Sequence, residues 1–339
     1  MKTINMCLFI IAGLLFHSLA AMPLYAGGCT CSQRIPGHPA DTICAVGHRG
    51  AAGLRPENTM AAFARAIELG VDAIELDVLM SADNALVVHH DFSLHPETTR
   101  KADGERLKDR TMTQINRLTL KKLQTFDVGR LKPNSRYASK YPDQVPSDGE
   151  RIPLLRDVIQ LVKNSSRECL QLWIEIKTSP EEPDKTPAPE IVVQNVVALL
   201  KSENFTRRAK ILSFDWRSLI HVQTIAPSIP TVYLTSDTKQ FKAASFMNPW
   251  ESDWTAGFDI GKHAGSIPET IRAAGGSWWA PKHTQLKAKQ VKEAHRLGIC
   301  IAVWTPSSKR TMQKMIEMGV DAVITNRPDF LITAIRRKR

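Results

Sequence analysis

The order of apolar runs predicts an α/β protein, a (β/α)8 TIM barrel with an insertion after the second strand. Two observations carry this. Short runs rich in β-branched and aromatic residues recur at 43–47, 73–78, 86–89, 170–176, 210–214, 231–234, 277–280, 300–304 and 322–325, and runs of that length and composition read as buried strands. Helical patterns separate most of them, and strand followed by helix, repeated, implies a parallel sheet. With 86–89 set aside, the strands number eight, which favours a closed barrel over an open sheet. The run at 86–89 follows the second barrel strand too closely for a helical crossover, so it is expected to form a hairpin on the catalytic rim.

The clearest helix is predicted over 59–69. Met60, Phe63, Ala64 and Ile67 form its apolar stripe, Asn58 or Thr59 can cap its start, and Gly70 can end it. Further helices are expected at 158–163, 190–202, 288–297 and 309–318. Residues 92–153 are rich in charge and turn formers and are expected to be the insertion. Residues 178–189 carry four prolines and read as a loop, whereas 237–276, with Trp250 and Trp254, resists assignment.

The chain of 339 residues is 43% apolar, enough for a full core and against global disorder. Residues 1–26 read as a secretory signal: Lys2, then an almost unbroken apolar run, then small residues near Ala26. Ala26-Gly27-Gly28-Cys29 also resembles a bacterial lipobox, so either plain cleavage near Ala26 or lipidation of Cys29 follows. The expected product is exported, periplasmic or extracellular, and is a membrane-anchored lipoprotein if Cys29 carries lipid. The expected organisation is a linker at 27–42, the barrel at 43–335 and a basic tail at 336–339. Cys29, Cys31, Cys44, Cys169 and Cys300 survive signal removal, and their spacing selects no disulfide pairing. The formal charge of +11 suits anionic or phosphate-bearing partners, but no nucleic-acid motif accompanies it and none is expected as a partner.

Active groups of such barrels gather at the C-terminal ends of the strands. His48 and Arg49 end the first strand. Glu75 and Asp77, two residues apart, face one side of the second, and Glu175 and Lys177 repeat that spacing on the next. Converging carboxylates repel unless a cation lies between them, and an all-oxygen set suits one divalent ion, Ca2+ or Mg2+. The competing reading is a solvated strand edge or a salt bridge to Lys177, against which stand the apolar flanks Ala73, Ile74, Leu76 and Val78. His48 and His90 can serve as acid and base, with Asp91 orienting one of them, whereas His89 points away and is structural. Arg49 and Lys177 can hold phosphate. Glu57 can reach a metal or a histidine, and Trp304 either walls the pocket or packs.

Taken in order, His48-Arg49-Gly50, Pro56-Glu57-Asn58-Thr59, Glu75-Leu76-Asp77, His90-Asp91, Glu175-Ile176-Lys177, Trp304-Thr305, Gly319-Val320-Asp321 and Thr325-Asn326-Arg327-Pro328-Asp329 resemble the glycerophosphodiester phosphodiesterase family from about Cys44 to Asp329. The resemblance implies metal-dependent hydrolysis of glycerophosphodiesters to an alcohol and glycerol 3-phosphate. Glu75, Asp77 and Glu175 would be metal ligands, His48 and His90 the acid/base pair, and Arg49 and Lys177 the phosphate clamp. Two departures stand out. Pro306-Ser307 replaces the family's frequent Val-Asn, and Asn326 stands where Asp is frequent. Neither is expected to touch the catalytic set. Two rivals remain open: a phospholipase or sphingomyelinase-D-like enzyme on intact lipid, with Trp250 and Trp254 as an apolar rim, and a non-catalytic phosphate-ester binding protein.

Overall fold

The computed structural model describes residues 43–108, 113–236 and 253–336. The predicted signal and linker, Cys29, Trp250 and the tail beyond Arg336 lie outside the described residues. The strands are β1 (Cys44–Gly47), β2 (Ala73–Met80), β3 (Leu86–Val88), β4 (Gln171–Ile176), β5 (Ala209–Ser213), β6 (Thr231–Thr235), β7 (Trp278–Pro281), β8 (Cys300–Trp304) and β9 (Ala322–Thr325). All but β3 pair in parallel, and β1 bonds to both β2 and β9, which closes the eight-stranded barrel. The short β3 pairs antiparallel with the far end of β2, Val78 opposite Val88. It is the hairpin excursion that its spacing predicts.

Strand alternation sorts the chemistry. On β2, Ile74, Leu76 and Val78 pack outward with the helical layer, so Ala73, Glu75 and Asp77 face the barrel interior. Parallel register then sets Asp77 opposite Glu175 on β4. Inside the barrel, Trp173 and Trp278 meet edge to face at 5.3 Å.

The outer layer comprises α1 (Met60–Leu69), α3 (Leu155–Lys163), α4 (Pro189–Ser202), α5 (Trp216–Ile225), α6 (Ile267–Ala273), α7 (Ala288–Arg296), α8 (Lys309–Met318) and α9 (Pro328–Arg336), while the one-turn α2 (Leu120–Leu123) lies in the insertion. The helix predicted at 59–69 is α1, with Thr59 as its cap and left-handed Gly70 at its end. Sequence periodicity missed α5, α6 and α9. The first and last are rich in Ile, Thr and aromatic residues of modest helix propensity, and α6 is only seven residues long. Their buried positions, such as Leu219, Ile271 and Leu331, show that packing decides them.

The insertion packs Leu94, Ile115, Leu123, Phe126 and Ile152 against Leu79 of β2 and Val87 of β3 in a small separate core. It clasps the β1–α1 loop: Gln144 donates to the Ala52 carbonyl at 2.7 Å, and the Val145 amide donates to that of Leu54 at 3.0 Å.

Gly47 closes β1 directly before His48. A Cβ there would lie 2.1 Å from the Gly50 carbonyl oxygen, and that contact is backbone, so it cannot swing aside. Gly47→Ala is therefore expected to cost roughly 1–3 kcal/mol or more and to displace His48. Thermal denaturation checks this, and an unchanged melting temperature would count against the tight β1 turn.

Candidate active site

His48 and Arg49 leave β1 on a loop tied back to the sheet. The His48 amide donates to the Thr325 carbonyl at 2.9 Å, and that of Gly50 to the Glu75 carbonyl at 3.2 Å. Arg49 adopts a left-handed φ of 48°, which turns its backbone N–H onto Glu75 Oε2 at 2.8 Å. Oxygens of Glu75, Asp77 and Glu175 come within 4.8 Å of one another, all three residues buried. The sequence-predicted triad is therefore brought together.

Two cations flank it. Lys177 Nζ lies 2.7 Å from Glu175 and 3.6 Å from Asp77. Arg49 donates to Glu57 at 2.7 Å and stands 3.4 Å from Asp77. The Lys177 bridge considered as a rival reading thus exists, but it reaches Glu175 and Asp77, while Glu75 has the backbone N–H and the more distant charge of Arg49. Glu57, Glu75, Asp77 and Glu175 are four carboxylates against the two cations Arg49 and Lys177. With all four ionised, the excess of two negative charges is what one divalent cation would neutralise. Burial, reinforced by the charges of Asp77 and Glu175, holds the Glu75 carboxyl well above its ordinary range. Burial likewise outweighs Lys177 in raising Glu175. Asp77 is also pushed up by burial, but His90, Lys177 and Arg49 together bring it below its ordinary value. Among the described residues, Asp77 Oδ1 is a buried oxygen with no hydrogen-bond partner. A divalent hard cation held by Glu75, Asp77 and Glu175 would satisfy that oxygen and relieve Glu75, so the residues present fit the ion.

The Pro-Glu-Asn-Thr segment divides its labour. Thr59 caps α1, and Asn58, read from sequence as an alternative cap, instead donates from Nδ2 to Asp77 Oδ2 at 2.8 Å. Among the described residues, Glu57 joins no cluster of metal ligands. Its two oxygens accept from Arg49 and from Tyr137 of the insertion, the latter at 2.5 Å.

The two histidines differ in setting. His48 Nδ1 lies 2.6 Å from Asn326 Oδ1. A carbonyl oxygen can only accept, so Nδ1 carries the proton and Nε2 keeps its lone pair. Asn326 Nδ2 in turn reaches Ser307 Oγ at 3.5 Å. This corrects the expectation that the two departures stand apart from the catalytic set: Asn326 holds His48, and Ser307 holds Asn326. Burial, then the charge of Arg49, pushes the His48 imidazole down to about 3, so it is neutral above that pH. His90 donates from Nδ1 to Asp91 at 2.7 Å, as its sequence neighbour predicts.

His90, Glu175, Lys177 and Trp304 open on a cavity of about 870 Å³. His89 is not among its lining residues. Its amide bonds the Asp77 carbonyl, and its ring is lowered in pKa by burial. Trp304 both walls the cavity and packs edge-on against Phe214 at 5.6 Å, its indole N–H held by the Ala280 carbonyl. Trp254 is not an exposed rim: it is 4% exposed and donates to Glu181 at 3.3 Å. The two large apolar side chains exposed among the described residues are Val145 and Ile191.

A (β/α)8 barrel whose mouth unites a buried acidic triad, an arginine, a lysine and two histidines is a barrel enzyme site suited to phosphate esters. The sequence pattern of the glycerophosphoryl diester phosphodiesterase family matches residues 48–330, and the chain belongs to that family. It is 30% identical over 292 residues to a glycerophosphodiester phosphodiesterase of Caldanaerobacter subterraneus subsp. tengcongensis, a match spanning 86% of this chain and 97% of the relative. A glycerophosphodiester phosphodiesterase of Bacillus subtilis is 27% identical over 297 residues, 86% of this chain and 85% of its own. Among solved structures, one assigned to the glycerophosphoryl diester phosphodiesterases from Silicibacter pomeroyi superposes with a TM-score of 0.79 at 29% identity, over 92% of this chain and 98% of that one.

Proposed function

We propose that this protein hydrolyses glycerophosphodiesters to an alcohol and glycerol 3-phosphate, with one divalent ion, Ca2+ or Mg2+, and with His48 as base and His90 as acid. The substrate class follows the relatives' activity. The observation that carries the mechanism is the buried carboxylate triad accompanied by two imidazoles that each donate from Nδ1, His48 to a neutral amide and His90 to a carboxylate. When bound by Glu75, Asp77 and Glu175, the ion would supply Lewis-acid neutralisation of phosphate oxygens. Arg49 and Lys177 grip the same phosphate. His48, neutral and without a hydrogen bond at Nε2 among the described residues, takes a proton from the attacking water as the water oxygen bonds to phosphorus and the bond to the head-group alkoxide breaks. His90 faces the cavity that takes the head group, and Asp91 stabilises its imidazolium, so it protonates the leaving alkoxide. Export through the N-terminal apolar run belongs to the same proposal and would place the enzyme outside the cytoplasm.

Chelation is expected to abolish release of glycerol 3-phosphate from glycerophosphocholine, and Ca2+ or Mg2+ to restore it. Absence of release with either ion, or full activity in chelator, would refute the reading. The lipid-active alternative gains no support from Trp254, which is buried.

A further inference from the structure

We propose that Tyr137, carried by the insertion, is a positioning residue for the phosphate clamp. This rests on the phosphate-handling role of Arg49 given above. Tyr137 and Arg49 are joined through one partly buried carboxylate, that of Glu57. The phenol donates to Glu57 Oε2 at 2.5 Å, and Arg49 Nη1 donates to Glu57 Oε1 at 2.7 Å. With both its oxygens engaged, Glu57 has one orientation, and the guanidinium fork has one with it.

The relay is charged and partly buried. Burial pushes the Glu57 carboxyl up, but Arg49 first, then His90 and the Tyr137 hydrogen bond, bring it below its ordinary value, so it stays anionic opposite Arg49. Arg49 Nε is buried and makes no hydrogen bond among the described residues. It stands 3.4 Å from Asp77 Oδ2, so the set of the guanidinium fork also fixes its ion pair with the acidic triad.

The insertion is built to hold the phenol in place. The Tyr137 amide donates to Glu97 Oε2 at 3.2 Å, and its ring packs against Tyr141 and His95 with centroids 5.7 and 5.8 Å away. The same insertion bonds the backbone of the loop between Arg49 and Glu57 at Ala52 and Leu54. A segment that carries no metal ligand and no acid or base group of the mechanism beyond His90 and Asp91 at its root thereby controls the geometry of the clamp.

Tyr137→Phe deletes the hydroxyl and keeps the ring packing. Two quantities are to be measured in wild type, Tyr137→Phe, Arg49→Lys and the double variant: glycerol 3-phosphate affinity by calorimetry, and kcat and KM on glycerophosphocholine with Ca2+. In the wild-type background the substitution is expected to weaken both affinity and kcat/KM by about tenfold, the scale of one hydrogen bond to a charged group, with Tm changed by less than about two degrees. In the Arg49→Lys background, where no fork remains to be oriented, the same change should cost less than about twofold. An equal cost in both backgrounds would show a general structural role and overturn the proposal, as would no cost in the first. A wild-type protein that binds glycerol 3-phosphate but turns over no diester would sink the hydrolase reading, and the affinity cycle would still decide the role of Tyr137.

Discussion

Glu75→Gln is expected to abolish turnover and, in protein stripped of divalent ions, to raise thermal stability. Both effects come from the same charge. Glu75 is buried beside Asp77 and Glu175, and those surroundings hold its carboxyl well above the ordinary 4.5. A carboxyl with a raised folded-state pKa contributes stability that is fully present below the unfolded value and is lost as pH rises through the folded one. The stripped wild type should therefore lose stability as pH climbs above about 4.5 toward neutrality, and the amide variant should lose less. A divalent ion reverses the ranking. At one hundred times its dissociation constant it adds about 2.7 kcal/mol to the folded wild type, a gain that Glu75→Gln forgoes. Loss of the Lewis acid from a phosphate site costs several kcal/mol of barrier, so kcat/KM should fall about a thousandfold or more. Calorimetric melts with and without Ca2+ across a pH series, beside turnover assays, test this. Near-normal turnover, or an equal Ca2+-induced gain in Tm for both proteins, would remove Glu75 from the metal site.

The groups that sequence makes legible are those whose position follows from strand geometry. Glu75 with Asp77, and Glu175 with Lys177, share a face because side chains alternate along a strand, and barrel closure then brings the two strands side by side. His48 and His90 are legible because each ends an apolar run. Residues that act through an amide or phenol leave no such periodic trace. Asn58 precedes a helix and looks like a cap, yet Thr59 takes that role, and a left-handed φ of 54° at Asn58 frees its side chain for Asp77. Tyr137 lies 80 residues from Glu57 in a segment without regular periodicity. Asn326 is visible only as a departure from a family pattern, and what it touches depends on β9 lying beside β1. In the fold, the strands are legible because burial on both faces makes them continuously apolar, whereas α5 and α9 exist by virtue of the sheet they cover.

His48→Ala is expected to lower kcat by roughly a hundredfold to ten-thousandfold, the usual contribution of a positioned general base, and substitutions at Asn326 should separate orientation from charge. Asn326→Leu removes the acceptor that fixes the Nδ1–H tautomer. That leaves a buried donor unsatisfied, at roughly 1–3 kcal/mol, or about a tenfold to a hundredfold in rate if the ring turns to find another partner. Asn326→Asp keeps an acceptor at the same place and adds a negative charge beside the ring, which favours the imidazolium. A base works only when deprotonated. With His48 pushed down to about 3, the wild-type kcat/KM should show no acid limb from this group until pH falls to about that value. The aspartate variant should bring such a limb up into the measurable range, with activity recovering as pH rises. Burial explains why an amide at this position has consequences: Arg49 already opposes a charged His48, and a neutral orienting partner leaves that opposition intact, which keeps the base available under acid conditions that would protonate an ordinary histidine. A kcat/KM profile for wild type and both variants decides the matter. If Asn326→Asp leaves the acid limb where wild type has it, while Asn326→Leu keeps full activity, His48 is not the base, and the assignment passes to His90.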